Sequence, residues 1–167
     1  KSPVYQNFLN FSKSVSFVAI FCSSISGICI AQNQKSIDSL TILLSTQSDI
    51  DRFETLFALS RNLISTNIDL SLKYAEDAHE LAKALGDSLK IVRSGRLSGI
   101  LLRRVGRQNE SIIIYEKMLP IAKRHKFNDE LKSIFNGLAV TNTFLANYDK
   151  ALAYNFESLV LREKDGK

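Results

Sequence analysis

Three stretches of this chain share one register at a spacing of 40 residues: DLSLKYAEDAHELAKALGD from Asp69, NESIIIYEKMLPIAKRHKF from Asn109 and DKALAYNFESLVLREKDGK from Asp149. A unit that recurs at a fixed period cannot cover its own apolar face, so its copies must stack on one another. Each stretch opens on a residue expected to cap a helix (Asp69, Asn109, Asp149), since such a side chain accepts from a free backbone N–H. Two positions on stands a small residue (Ser71, Ser111, Ala151), followed by an aliphatic one (Leu72, Ile112, Leu152). Apolar residues at i, i+3, i+4 and i+7 predict a helix with one buried face. A second helical pattern precedes each, over 53–64, 91–105 and 131–145, joined to the first by STNID, GRQNE and ANYDK. Turns this short make antiparallel neighbours. The expected fold is all-α, an α-solenoid of about three helical hairpins with units near 51–87, 88–127 and 128–167.

The first thirty residues follow another logic. Lys13 precedes an uncharged run over 15–30, VSFVAIFCSSISGICI, and polar residues return after it. A cation, an apolar run and small residues before a polar stretch are the pattern of a secretory signal. Cys29 and Ala31 satisfy signal peptidase for a cut before Gln32, so residues 1–31 read as a signal peptide. An uncleaved anchor is the alternative, although 16 residues fall short of the roughly 20 that a spanning helix needs. Residues 32–50 read as a short helical lead-in. Both cysteines, Cys22 and Cys29, lie inside the apolar run, so the exported domain has no thiol for a disulfide, a nucleophile or a metal. Removing 1–31 takes away Lys1 and Lys13, leaving 20 − 17 = +3 from the full chain's +5. That balance is too mild to imply nucleic acid. Export, to the periplasm or cell envelope, is the expected location.

The third unit, FNGLAVTNTFLANYDKALAYNFESLVLREKDGK, resembles a tetratricopeptide repeat: a small residue on the first helix (Ala139), the turn ANYD, a small residue opening the second helix (Ala151) and another seven later (Ser158). The second unit matches with Gly99, GRQN, Ser111 and Met118, and the first with Leu59, TNID, Ser71 and Ala78. Met118 and Leu59 depart from the pattern, which implies looser or shifted packing there. The signal, the D-x-D-R opening and the DLSLKYAE and LREKDGK stretches also resemble the exported N-terminal repeat domains of Bacteroidetes sensor histidine kinases and transcriptional regulators. That resemblance implies a periplasmic sensory or interaction module whose output lies elsewhere in the protein. A stand-alone exported adaptor, or the regulatory part of an enzyme encoded downstream, are the alternatives.

No catalytic constellation is visible, so the segment is not expected to be an enzyme, and no cofactor or metal is implied. His79 and His125 are the only histidines and fall in different units. His125 belongs to a basic helix end, where a cation complements the helix dipole. His79 reads as a surface ion-pair partner of Glu76. The sharpest local feature is a basic stripe on the first helix of the second unit. At about 100° per residue, Arg93, Arg96, Ile100, Arg103 and Arg104 fall within about 100° of one another. The equivalent places in the third unit are Ser133, Asn136, Val140 and Thr143. The family resemblance makes these helices the walls of a ligand groove. Arg93, Arg96, Ile100, Arg103, Asn136, Val140 and Thr143 are then candidates to bind a protein or peptide, acidic in character, with no nucleic acid. The alternative is a solvated face paired with Glu54 or Glu130. Self-association is the other expectation, because the last helix presents Leu152, Phe156, Leu159 and Leu161 with no following hairpin. That helix, and a first residue other than Met, read as parts of a longer protein, with membrane contact only through the N-terminal segment or a later helix.

Overall fold

A computed structural model describes residues 34–44 and 48–164. The expected signal peptide lies outside the described residues. Among them are seven helices and no strand: α1 over 34–43, α2 (Asp49–Leu63), α3 (Ile68–Leu85), α4 (Ser88–Arg104), α5 (Gln108–His125), α6 (Asn128–Phe144) and α7 (Tyr148–Lys164). The chain divides into two units, Lys1–Ser39 and Leu40–Lys167, and α2–α7 all lie in the second. There they form three antiparallel hairpins, α2/α3, α4/α5 and α6/α7, each packed on the next.

Left-handed residues recur every twenty positions and stop the helices. Gly86, Gly106, Lys126 and Ala146 have φ of 65°, 82°, 56° and 58°. At each, the N–H of the left-handed residue donates three residues back and the next N–H donates five back, as in Gly106 to Arg103 O (3.2 Å) and Arg107 to Leu102 O (2.8 Å). This double bond satisfies carbonyls that a helix end otherwise leaves open. Glycine adopts the geometry freely, whereas Lys126 and Ala146 hold it against the steric cost of a Cβ.

The turn between α2 and α3 is different. Asn67 N–H donates to Leu63 O, four residues back, at 2.8 Å, and no residue there has positive φ. The paired small residues are 11 apart across this turn and 12 apart across the next, so the register of α2 is shifted by one. The small residue equivalent to Gly99 and Ala139 is therefore Ser60, not Leu59. Side chains confirm it: Ser71 Oγ donates to Ser60 O and Ser111 Oγ donates to Gly99 O, both at 2.7 Å. The caps also differ from expectation. Helices begin at Ile68, Gln108 and Tyr148, so Asp69, Asn109 and Asp149 sit inside the first turn. The cap of α3 is Asn67, accepting from Leu70 N–H at 3.0 Å, and that of α4 is Asp87, accepting from Leu89 and Lys90 N–H. Asp69 and Asp149 instead place negative charge against the positive end of the helix dipole.

Volume is traded between equivalent places. By register, the places held by Gly95 and Met118 in the second hairpin are held by Leu56 and Ala78 in the first and by Phe135 and Ser158 in the third, a large residue and a small one each time. A Cβ on Gly95 would run into Met118, so the departure at Met118 is matched packing and not looseness. Between hairpins, Ser60, Ala75 and Leu97 at the first junction are replaced at the second by Gly99, Tyr115 and Gly137. The Tyr115 ring is fully buried, and Cβ atoms at Gly99 and Gly137 would lie 2.7 Å and 2.5 Å from its Cζ. One tyrosine thus occupies the space that two glycines release. Alone, Gly137→Leu should destabilise by about 1–3 kcal/mol through overpacking, and Tyr115→Ala by about 3–5 kcal/mol through the cavity it leaves. Tyr115→Ala/Gly137→Leu recreates the Ala75/Leu97 junction. Urea unfolding should show the double variant more stable than the sum of the singles by about 1–3 kcal/mol. Additivity would contradict this packing.

Candidate functional site

Three contacts set α2, α4 and α6 side by side. Arg93 Nη1 lies 3.5 Å from Glu54 Oε1, and its guanidinium stacks 4.8 Å above the Phe57 ring, tying α4 to α2. Arg96 Nε donates to Glu130 Oε2 at 2.5 Å, tying α4 to α6. Arg103 lies over Phe144 at 5.8 Å, a second tie to α6. The acids named as the alternative partners of the stripe are therefore in contact with it. Arg96 and Glu130 have side chains only 23% and 17% exposed, so their charges attract with less screening than a surface pair.

The remaining candidates are distributed along the same face. Ile100 and Val140 are half-buried, and Asn136 and Thr143 are exposed. Thr143 Oγ1 donates to Ala139 O at 3.0 Å. The seven residues do not converge on one cavity. Arg93 borders an open cavity of about 750 Å³ with Lys126, Phe127, Asp129 and Glu130. Asn136 opens into another of about 280 Å³ with Asn155, Ser158, Leu159 and Arg162. Arg103 and Arg104 form no ion pair among the described residues. Arg103 Nε and the Tyr115 hydroxyl are both buried, and the Tyr115 side chain engages Arg103 and Ser111 without a close hydrogen bond to either. Burial pushes the Tyr115 phenol up to about 12, against the pull of the Arg103 and Arg96 charges, which favour the phenolate. Sequence reasoning missed Phe144 as part of this face and Tyr115 as the buried ring packed between α4 and α6. The glycines 16 residues before and 22 after Tyr115 were the signal available.

His79 does not pair with Glu76 on the surface. Its Nδ1 lies 3.0 Å from Ser94 Oγ across the first inter-hairpin junction, and Ser94, fully buried, donates to Lys90 O at 2.7 Å. Burial holds the imidazole below its usual value, with Lys83 and Lys117 acting in the same direction and Glu80 opposing. His125 ends α5 and stacks on Phe127 at 5.3 Å. Among the described residues no group of three or more His, Cys, Asp or Glu could hold a metal ion, and no helix is long and apolar enough to cross a membrane. On α7, Leu152, Phe156 and Leu159 are 56%, 57% and 48% exposed, whereas Leu161 turns inward onto the core.

The hairpins, their period and the small-residue register define a tetratricopeptide-like α-solenoid. Solved structures agree on this fold. The tetratricopeptide domain of Arabidopsis FLU superposes with a TM-score of 0.66 at 19% identity, over 70% of this chain and 99% of that one. Aspartyl phosphate phosphatase F from Bacillus subtilis gives 0.74 at 13% identity, over 83% of this chain and 38% of that one. BtubC from P. vanneervenii gives 0.65 at 20%, over 81% and 56%. This chain thus spans well under two thirds of the latter two. No protein-family model and no curated protein sequence matches it.

The lowered pKa of His79 fixes the sign of one pH effect. The unfolded chain takes up this proton near pH 6.5 and the folded chain only below that, so folding stability falls as pH drops from 6.5 toward the lowered value. The depressed carboxylates Glu80, Asp87 and Glu110 act in a separate window, below their ordinary values. Between pH 7.5 and 5.5, Tm should fall by about 1–3 °C more for the wild type than for His79→Gln, after allowance for solvent screening. Equal slopes in the two proteins would remove His79 from this account.

Proposed function

We propose that this chain is a non-catalytic protein-binding module that takes an extended peptide segment along the face of α2, α4 and α6. The observation that carries the reading is the composition of that face. A half-buried apolar strip, Ile100 and Val140, runs between exposed hydrogen-bonding side chains, Asn136 and Thr143, and the guanidiniums of α4. Such a strip offers apolar area to a ligand side chain while the polar flanks answer its backbone. The module acts outside the cytoplasm, in the periplasm or cell envelope, as the sensory part of a signal-transduction protein of the sensor-kinase or regulator kind. The uncharged run at 15–30 with small residues at Cys29 and Ala31 supports export, and the resemblance to exported repeat domains supports the signalling role. Self-association through the exposed apolar residues of α7 would compete with a ligand at one end of the face, where Leu159 and Asn136 line the same cavity.

A photo-crosslinking amino acid placed in turn at Asn136, Thr143 and Glu116 tests the assignment in cells that export the full chain. Asn136 and Thr143 lie on the proposed ligand face and Glu116 is exposed on α5. Discrete adducts from Asn136 and Thr143 but not from Glu116 are expected. Adducts from Glu116 alone would move the binding surface to the second helices.

A further inference from the structure

Helix α7 carries apolar residues where α3 and α5 do not. Tyr148, Leu152, Phe156 and Val160 recur every four residues along its length, each between 44% and 66% exposed, with Leu159 beside them. At the equivalent places α3 has Ile68, Leu72, Glu76 and Glu80, and α5 has Gln108, Ile112, Glu116 and Pro120. In both helices the first two are buried or half-buried and the last two are exposed, although a further hairpin stacks on each. A hairpin stacked on α7 in the same manner would cover Tyr148 and Leu152 and leave Phe156 and Val160 in water. The stripe is wider than stacking requires. The opposite end of the array offers it no counterpart. Ile91, Ser94, Leu97 and Leu101 of α4 meet the first hairpin, and the equivalent places on α2 are Arg52, Thr55, Ala58 and Asn62. Those residues are polar or small, so the tail of one copy finds no apolar head on another. A head-to-tail contact is thereby disfavoured, and a tail-to-tail contact, in which both copies use the same patch, is left.

We propose that α7 pairs antiparallel with α7 of a second copy, about a two-fold axis at the level of residue 154. In that register Tyr148 meets the partner's Val160 and Leu152 meets the partner's Phe156, each contact occurring twice. Rows of side chains four residues apart are the ridges that interdigitate when helices pack. The same register sets Lys150 beside the partner's Glu157. At about 100° per residue these two lie about 20° apart, on one flank of the stripe. Both are exposed, and neither forms an ion pair among the described residues. Each copy supplies one cation and one anion, so the symmetry makes two bridges. The exposed parts of the five apolar side chains amount to roughly 500 Å² per copy. A pair then buries about 1,000 Å², the least that a specific interface needs. Affinity in the micromolar range follows. The inference stands apart from the peptide reading except at Leu159, which lines the cavity beside Asn136.

Sedimentation velocity of the full chain over about 1–100 µM tests the pairing. The wild type should pass from monomer to dimer and no further. Phe156→Glu, at an exposed site that does not endanger folding, should remain monomeric with unchanged helical circular dichroism. Ile113→Glu, exposed to a similar degree on α5, should leave the dimer intact. Lys150→Glu and Glu157→Lys should each weaken dimerisation about fivefold or more, because like charges then face each other twice. Lys150→Glu/Glu157→Lys together should return to within about twofold of the wild type. A wild type that stays monomeric throughout would overturn the proposal, and so would a Phe156→Glu variant that still dimerises. Mass that keeps rising past the dimer would contradict the two-fold contact, since an open head-to-tail series grows without closing. Loss of the dimer in Ile113→Glu would move the interface off α7. A double charge variant no better than the singles would overturn the antiparallel register.

Discussion

Tyr115 is the contact on which the array depends. Its ring sits between the backbones of Gly99 on its own hairpin and Gly137 on the next, so one side chain joins α4, α5 and α6. The cost is visible in the same residue. Its hydroxyl is buried with no close hydrogen bond, and its phenol is pushed up to about 12. An unsatisfied buried hydroxyl costs about 1–3 kcal/mol, and glycine in a helix about 0.5–1 kcal/mol per site. Truncating a buried aromatic ring costs about 3–5 kcal/mol. The ring's packing outweighs the hydroxyl, and a close approach of helices that only glycine permits is retained.

The face formed by α2, α4 and α6 is shaped by the junctions between hairpins. Arg93 and Arg96 reach across hairpins to Glu54 and Glu130, so part of the basic stripe serves cohesion. Four guanidiniums on one helix face repel one another, and cross-hairpin acids relieve that repulsion for two of them. Arg104 is exposed and Arg103 half-buried, and neither forms an ion pair among the described residues. Which arginines serve cohesion is thus decided by which of them find an acid within the fold.

Much of the fold was legible in the sequence because its period was written in residue size. Small residues at Ser71, Ser111 and Ala151 and the short turns identified three hairpins. What was not legible depended on single residues of backbone. A differently closed turn, with 11 residues from small residue to small residue in place of 12, moved the register of α2 from Leu59 to Ser60. Lys126 and Ala146 adopt a conformation that Gly86 and Gly106 advertise by identity and these two do not. Met118 looked like a breach of the pattern until Gly95 stood opposite it. At the site, the arginine stripe could be seen on a helical wheel. Its partners lie 39 and 34 residues away, and their pairing depends on the stacking angle of hairpins.

If Tyr115 joins the second and third hairpins, the two open together. Native-state hydrogen exchange under increasing denaturant measures this directly, since amides that open in one event share one free energy. Amides of α4, α5 and α6 around Gly99, Tyr115 and Gly137 should converge on a common opening free energy within about 1 kcal/mol, with the last turns of α7 exchanging earlier. An α6/α7 hairpin that opens well before α4/α5, as an independent unit, would contradict a junction held by Tyr115.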